Sequence, residues 1–208
     1  NQATMSIMEY NGGSFLAMAG KECVAIASDM RFGVQLQTLG TNCNKIFKMH
    51  DKLFIGLAGL NSDVLTFEEK LRFKLNLFSL REERNIRPQA FAKLVSSMLY
   101  EKRFGPYFIE PVIAGLDEDN KPVLRSTDLI GAPLETDDFI VGGTATDQLF
   151  GVCESFYIPD QEPEDLFETV SQCLLAGMDR DCMSGWGAVV YIITKDKVVT
   201  RTLRQRMD

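Results

Sequence analysis

The chain has 208 residues, 45% of them hydrophobic and 25% charged, which is an ordinary balance for a globular protein with a substantial core. Its formal net charge of −7 argues against nucleic acid as a partner, since nucleic-acid binding needs a basic surface. Every continuous apolar run falls well short of the roughly 18 residues that a membrane-spanning helix needs, so we expect no membrane partner.

Five cysteines and a single histidine limit the chemistry that is available. The odd number of cysteines, mostly within apolar runs, predicts reduced thiols and a location in the cytoplasm or nucleus. With His50 alone, a metal site built from several histidines is impossible, and a Ser-His-Asp triad would have to use this one residue in a predicted turn. We therefore predict no cofactor and no metal site.

The strongest local pattern comes early in the chain. Residues 14–18 are apolar, residues 19–22 (AGKE) supply a turn, and residues 23–27 form a continuous apolar run that is typical of a strand buried on both faces. This run stops at Asp29, with Arg31 two residues later, so that an acid and a base lie at the mouth of a buried strand. Such a position suits either chemistry or a structural ion pair, and the segment leaves both open.

The remaining elements occur in blocks. Strands extend to residue 59, two helices follow from about residue 61 to residue 100, strands fill 110–141, two helices fill 145–178, and strands close the chain at 188–203. Asn61 or Ser62 is predicted to cap the first helix. Because the blocks do not alternate as βαβα, they predict the α+β class, with two antiparallel sheets face to face and helix pairs outside.

No internal repeat or linker interrupts the sequence, which favours one domain over residues 1–208. Residues 1–9 are predicted to be a loosely held N-terminal extension.

Four short motifs carry the functional prediction: NKIF at 44–47, FIGLAG at 54–59, GGT at 142–144 and DCMSG at 181–185. Their order and separations resemble the beta-type subunits of the proteasome, which are N-terminal-nucleophile hydrolases. The resemblance extends from about residue 11 to the C-terminus, and stretches such as YEKRFGPYF and SGWGAVVYII resemble one subunit type within that family. It implies a four-layer αββα sandwich.

In active members of this family, the mature chain begins with a threonine whose hydroxyl attacks the substrate carbonyl and whose amine is the base. The family spacing back from Asp29 and from Lys45 leads both times to Gly13, which has no side chain. Ser14 is expected to face away from Lys45 and Gly59, because adjacent side chains of a strand point to opposite faces. In active members the matching lysine and aspartate tune the nucleophile electrostatically, and a buried ion pair would remain after its loss.

The resemblance assigns the other site positions as well. Gly59 matches the glycine that gives its backbone N–H to the oxyanion hole. Thr144 stands where active members place a serine near the nucleophile, although capping of the third helix would also explain it. Asp181 and Ser184 match the pair that supports the nucleophile's amine.

Asp128, within STDLIGA, matches an aspartate beside the pocket of a neighbouring trypsin-like subunit. A carboxylate there would favour basic substrate residues by charge attraction. The alternative is a turn carboxylate that bonds its own backbone. Ala132 departs from the pattern, since many members of that subunit type have a cysteine at this position.

Three functions are compatible with these residues. The first is a non-catalytic structural subunit of the 20S proteasome core particle, which degrades proteins in the ubiquitin–proteasome pathway and assembles from stacked rings of alpha and beta subunits. The second is an active, self-processing threonine- or serine-type peptidase, which Gly13 disfavours. The third is a binding or assembly module with no proteolytic context, which the retained site residues disfavour. We expect the first, and therefore no peptidase activity from this chain itself.

Overall fold

The computed structural model describes residues 6–206, and two five-stranded antiparallel sheets form its centre. The first sheet has the order β10-β1-β2-β11-β12, with β1 Ser14–Gly20, β2 Cys23–Asp29, β10 Phe139–Gly143, β11 Ala188–Thr194 and β12 Val198–Leu203. The second has the order β5-β6-β7-β8-β9, with β5 Ile46–His50, β6 Leu53–Gly59, β7 Ile109–Leu116, β8 Pro122–Thr127 and β9 Pro133–Thr136. A separate hairpin pairs β3 Phe32–Val34 with β4 Gln37–Gly40.

Four helices lie on the outer faces of the two sheets. They are α1 Asn61–Glu82, α2 Pro88–Tyr100, α3 Thr146–Phe156 and α4 Pro163–Met178. The first pair packs its apolar side chains, among them Phe67 and Phe91, on the second sheet. The second pair packs on the first sheet, through residues such as Leu149 and Val170. The predicted α+β class is confirmed.

Strands β1 and β2 are buried on both faces because helices cover one side and the second sheet covers the other. Leu16 and Met18 belong to the core under α3 and α4, whereas Phe15 and Ala17 belong to the core between the sheets. All seven residues of each strand are buried. The strand period of two therefore divides β1 between two cores. The same division in β2 confirms the prediction made from the continuous apolar run at residues 23–27.

The predicted helix caps are wrong at both positions. The N-cap of α1 is Leu60, which has no side-chain oxygen, and neither Asn61 nor Ser62 takes that role. The N–H of Asn61 instead donates to Oδ1 of Asn11 at 2.9 Å. At α3 the N-cap is Ala145, one residue after Thr144, so the Thr144 hydroxyl is available for other bonds.

A short 3₁₀ helix, Ile7–Glu9, precedes β1, and Ser6 and Glu9 form a capping box around it. Residues 1–5 of the predicted extension lie outside the described residues, and the single-domain assignment stays a prediction. All five cysteines are free thiols, as predicted. Among the described residues, no helix is long and apolar enough to cross a membrane.

Candidate functional site

Gly13, the residue before β1, lies where the spacing places the nucleophile. A Cβ atom built on Gly13 would lie 2.8 Å from Cε of Lys45 and 3.5 Å from Oδ1 of Asp29. A side chain at this position would therefore point at the Lys45–Asp29 pair. Glycine supplies no atom there, and its φ of +139° is one that residues with side chains rarely adopt.

Lys45 and Asp29 form a buried ion pair at the end of β2. Lys45 Nζ lies 2.6 Å from Asp29 Oδ1, and it also donates to the backbone carbonyls of Arg31 at 2.7 Å and of Asp29 at 3.4 Å. Asp29 is fully buried and Lys45 is 8% exposed. The ammonium thus has three acceptors for its three donors, which is the condition for keeping a charge away from water.

The Asp29 carboxylate also holds three backbone segments together. It accepts N–H groups from Ser14 at 3.0 Å, from Arg31 at 3.2 Å and from Gly185 at 3.3 Å. These donors come from the start of β1, from the residues after β2 and from the loop before β11. Asp29 therefore fixes the backbone around the site as well as the Lys45 charge.

Thr144, Asp181 and Ser184 form a second polar cluster on the other side of Gly13. The hydroxyls of Thr144 and Ser184 both donate to Asp181 Oδ2, at 2.6 and 2.7 Å. The backbone N–H of Thr144 donates to the Gly13 carbonyl at 2.8 Å. The Gly13 N–H donates to the Thr144 hydroxyl oxygen at 3.5 Å. Thr144 thus contacts the backbone of position 13 directly, and it links that backbone to Asp181 and Ser184.

The side chain of Ser14 does not face the Lys45–Asp29 pair. It is in register with Leu16 and Met18, which face α3 and α4, so its side chain points away from Lys45. Its hydroxyl is fully buried and has no hydrogen-bond partner among the described residues. Ser14 is therefore part of the structural core.

A cavity of about 240 Å³ lies beside Gly13 and includes Gly59 and Thr144 in its wall. Gly59 has φ +113°, and a Cβ there would collide with the carbonyl of Phe108, so only glycine fits. Met8 and Glu9 of the 3₁₀ helix also line the cavity. The 3₁₀ helix that precedes Gly13 in the sequence therefore forms part of the cavity wall.

Asp128 lies in the turn between β8 and β9, away from this cluster, and is exposed. Its Oδ1 accepts the N–H groups of Ile130 at 3.1 Å and of Ala132 at 2.8 Å. This is the alternative considered from the sequence, in which the carboxylate stabilises its own turn. An exposed carboxylate can stabilise the turn and also contribute charge to a neighbouring surface.

Sequence reasoning missed Asn11 and the hydrogen-bond partners of Arg31. Arg31 is 2% exposed, and its guanidinium donates to Thr38 Oγ1, the Met183 carbonyl and the Gln35 carbonyl, each at 3.0 Å. Its adjacency to Asp29 gave a hint of a role, but not of these partners. Asn11 is also buried, and no local pattern marked it.

His50 lies at the end of β5, where its ring has two structural contacts. Its Nε2 is 3.1 Å from the Ile86 carbonyl, and its Nδ1 accepts the N–H of Lys52 at 3.2 Å. Burial lowers the pKa of His50 below its ordinary value of 6.5. Neither nitrogen contacts the site around Gly13.

We predict a pH dependence of stability from this histidine. The lowered pKa keeps His50 neutral in the folded chain, so its contribution is fully present above pH 6.5. As the pH falls below 6.5, the unfolded chain binds the proton first, and the free energy of unfolding decreases. Urea unfolding at pH 7.5, 6.5 and 5.5 should show a smaller decrease for His50→Gln than for the wild type. Equal decreases would show that His50 is not the titrating group.

Comparison with known proteins agrees with this geometry: the chain belongs to the proteasome subunit family. A family model described as "Proteasome subunit" matches residues 9–193. Proteasome subunit beta type-3 of Picea mariana is 59% identical over 98% of this chain and 100% of its own length. The probable proteasome subunit beta type-3 of Schizosaccharomyces pombe is 60% identical with the same coverage. Proteasome subunit beta type-3 of Drosophila melanogaster is 53% identical over 98% of this chain and 100% of its own length. The family predicted from the four motifs is confirmed.

Proposed function

We propose that this chain is a non-catalytic structural beta subunit of the 20S proteasome core particle. The observation that carries the proposal is Gly13, which leaves no hydroxyl or thiol at the position that faces Lys45 and Asp29. Similarity along the full length to beta type-3 subunits supports its place in that assembly. On this proposal the two sheets and two helix pairs form a sandwich of the N-terminal-nucleophile hydrolase type.

Acyl transfer to this chain would need an activated nucleophile and a base within hydrogen-bond reach of it. At position 13 the backbone amide and carbonyl are both engaged with Thr144, whose hydroxyl donates to Asp181, and the adjacent hydroxyl of Ser14 faces the opposite core. The retained side chains Asp29, Lys45, Asp181 and Ser184 keep a structural role, because they hydrogen-bond the backbone or one another. The chain therefore contributes structure to a complex whose catalysis is carried out by other subunits.

The proposed partners are other alpha and beta proteasome subunits in stacked rings, in the cytoplasm and nucleus. Large apolar side chains are exposed on α1 and just after α2, namely Phe73, Leu77, Leu80 and Phe104. Exposed apolar clusters of this kind are typical of surfaces that are buried on assembly. The assembly, rather than the isolated chain, is then the working state.

Covalent labelling of the assembled particle tests this function. A threonine-directed epoxyketone should form adducts on the catalytic subunits and none on this chain, as read by mass spectrometry of the separated subunits. An adduct on this chain, mapped to Ser14 or to a newly formed N-terminus, would overturn the proposal in favour of the self-processing peptidase.

We also predict that Asp128 tunes the trypsin-like neighbour. Asp128→Asn retains the Oδ1 acceptor that closes the turn through Ala132, and so changes the charge with little change in structure. Loss of the carboxylate should lower cleavage after Arg about twofold to fivefold, because charge attraction in the neighbouring pocket is lost. Cleavage after Leu in the same particle is the internal control. A proportional change in both activities would contradict a role for this charge.

A further inference from the structure

Two of the free thiols, Cys153 of α3 and Cys173 of α4, lie against each other in the core. Both side chains are fully buried, and both belong to the cluster that these helices form with the first sheet. The thiols share a hydrogen bond, which raises the pKa of Cys153, with burial adding to the effect, and lowers the pKa of Cys173. Cys153 therefore acts as the donor, and the pair favours ionisation at Cys173.

The register of the two helices explains why these residues meet. Leu149 packs against Gly177, where a Cβ built on the glycine would lie 2.5 Å from Leu149 Cδ2 and 3.7 Å from Leu149 Cα. Cys153 comes four residues later on α3, and Cys173 comes four residues earlier on α4. Since residues four apart share one face of a helix, the two helices are antiparallel and the cysteines face each other one turn from the glycine contact.

The same glycine brings the two backbones close enough for a disulfide. A disulfide needs Cα atoms about 4.4–6.8 Å apart, a separation that few pairs of helix residues reach. Because Gly177 has no side chain, the α4 backbone approaches Leu149 directly, and the cysteines occupy the next turn of this close approach. A bond between their sulfur atoms therefore requires little movement of either helix.

The helix that covers the pair is the less firmly packed of the two. The buried residues of α3 are Leu149 and Cys153, whereas α4 is buried along its whole length, from Leu166 to Met178. An element with few buried side chains opens locally at a smaller free-energy cost than the rest of a fold. Opening of α3 therefore exposes Cys173 to small solutes while α4 stays in place.

We propose that Cys153 and Cys173 are a redox-sensitive pair, which hydrogen peroxide converts into a disulfide between α3 and α4. The Cys173 thiolate attacks one peroxide oxygen, so that an S–O bond forms and the O–O bond breaks. The second oxygen leaves with the thiol proton as water. Cys153 sulfur then attacks the sulfur of Cys173, the S–S bond forms, and the hydroxyl leaves with the Cys153 proton as a second water. Two thiols are oxidised and one peroxide is reduced.

The consequence of this bond is mechanical. It ties α3 to the better-packed α4 and restricts the local opening of α3, and reduction of the bond restores that opening. The inference goes beyond the proposed function, because it holds for a chain with or without a nucleophile at position 13.

Disulfide mapping after peroxide treatment of assembled particles tests the pairing. The remaining thiols are blocked with N-ethylmaleimide under denaturing conditions, and the subunit is digested without reductant for mass spectrometry. Peptides joined through Cys153 and Cys173 should be at least about tenfold more abundant than any joined through Cys23. Cys23 is the matched control because it is fully buried in the same cluster. Dithiothreitol should remove the joined peptides.

Two results of the mapping would overturn the inference. One is a comparable amount of peptides joined through Cys23, which would place the oxidation in unfolded chains. The other is the absence of the Cys153–Cys173 bond at a peroxide dose that oxidises Cys182, which is exposed.

Hydrogen exchange measures the effect on α3. Amides of residues 149–156 should exchange about tenfold more slowly in oxidised particles than in reduced ones, because opening is restricted. Cys153→Ser retains a hydroxyl donor for Cys173 but cannot form the bond, so peroxide should leave its exchange unchanged. If Cys153→Ser does not assemble, Cys173→Ala takes its place. Equal exchange in oxidised and reduced wild-type particles, or slower exchange in the oxidised variant, would contradict the proposed effect.

None of these results bears on the proposed function, which fails only if the epoxyketone attaches to this chain.

Discussion

Replacement of Lys45 by methionine is expected to lower the free energy of unfolding by about 3–5 kcal/mol, because it leaves the Asp29 carboxylate buried without its counter-charge. Asp29 is fully buried and its Oδ1 lies 2.6 Å from Lys45 Nζ. Urea denaturation would measure the change as a shift of the midpoint at constant slope. Incorporation of the variant into particles should fall in parallel.

Two further variants test whether the loss of stability comes from the buried, unpaired charge of Asp29. Adding Asp29→Asn to Lys45→Met removes the charge. The amide oxygen can still accept the N–H groups of Arg31 and Gly185, although the Ser14 N–H loses its acceptor, so the double variant should be more stable than the single one.

Lys21→Met breaks an exposed pair with Glu162, and should leave the urea midpoint nearly unchanged. If Lys45→Met unfolds at the same urea concentration as the wild type, the buried pair is not needed for stability.

Arg31→Met is expected to destabilise the chain by about 1–3 kcal/mol. The substitution leaves the buried Met183 carbonyl without its donor, which costs that amount, and it also removes the partly buried bond to the Gln35 carbonyl. Arg204 is exposed, and Arg204→Met is the matched control, with an expected change within about 0.5 kcal/mol. A near-neutral Arg31→Met would contradict the structural role assigned to this guanidinium.

Gly33→Ala tests the same contact from the opposite side. A Cβ on Gly33 would lie 2.5 Å from Cζ of Arg31, and the guanidinium cannot move away without losing its bonds. Gly33→Ala should therefore be destabilising in the wild type and much less so in the Arg31→Met background, which urea denaturation of the three variants would measure. Additive losses would show that Gly33 and Arg31 are not coupled.

The parts of the fold that depend on local periodicity could be predicted from sequence. The continuous apolar run at residues 23–27 predicted that β2 is buried on both faces, and the block order predicted the α+β class. The contact between Asp29 and Lys45 followed from the family spacing rather than from any local pattern. The turn at Asp128 was also predictable from local sequence, because its carboxylate accepts N–H groups from residues no more than four positions away.

The missed features depend on contacts between distant segments. Asn11 caps α1 from 50 residues away, and Arg31 reaches Met183 across 152 residues. The prediction of Asn61 or Ser62 as a cap was wrong because Oδ1 of Asn11, which precedes β1, already accepts the N–H of the first helical residue. The Thr144 hydroxyl likewise binds Asp181 instead of capping α3. No propensity or spacing rule within one segment encodes such bonds.

The mass of the intact chain, measured on subunits separated from assembled particles, tests the absence of self-processing most directly. Because position 13 has no nucleophile, the chain should retain the residues before Gly13, including Asn11. A mass that corresponds to a chain beginning at Gly13 or Ser14 would contradict the non-catalytic assignment, since it would require cleavage at the site itself.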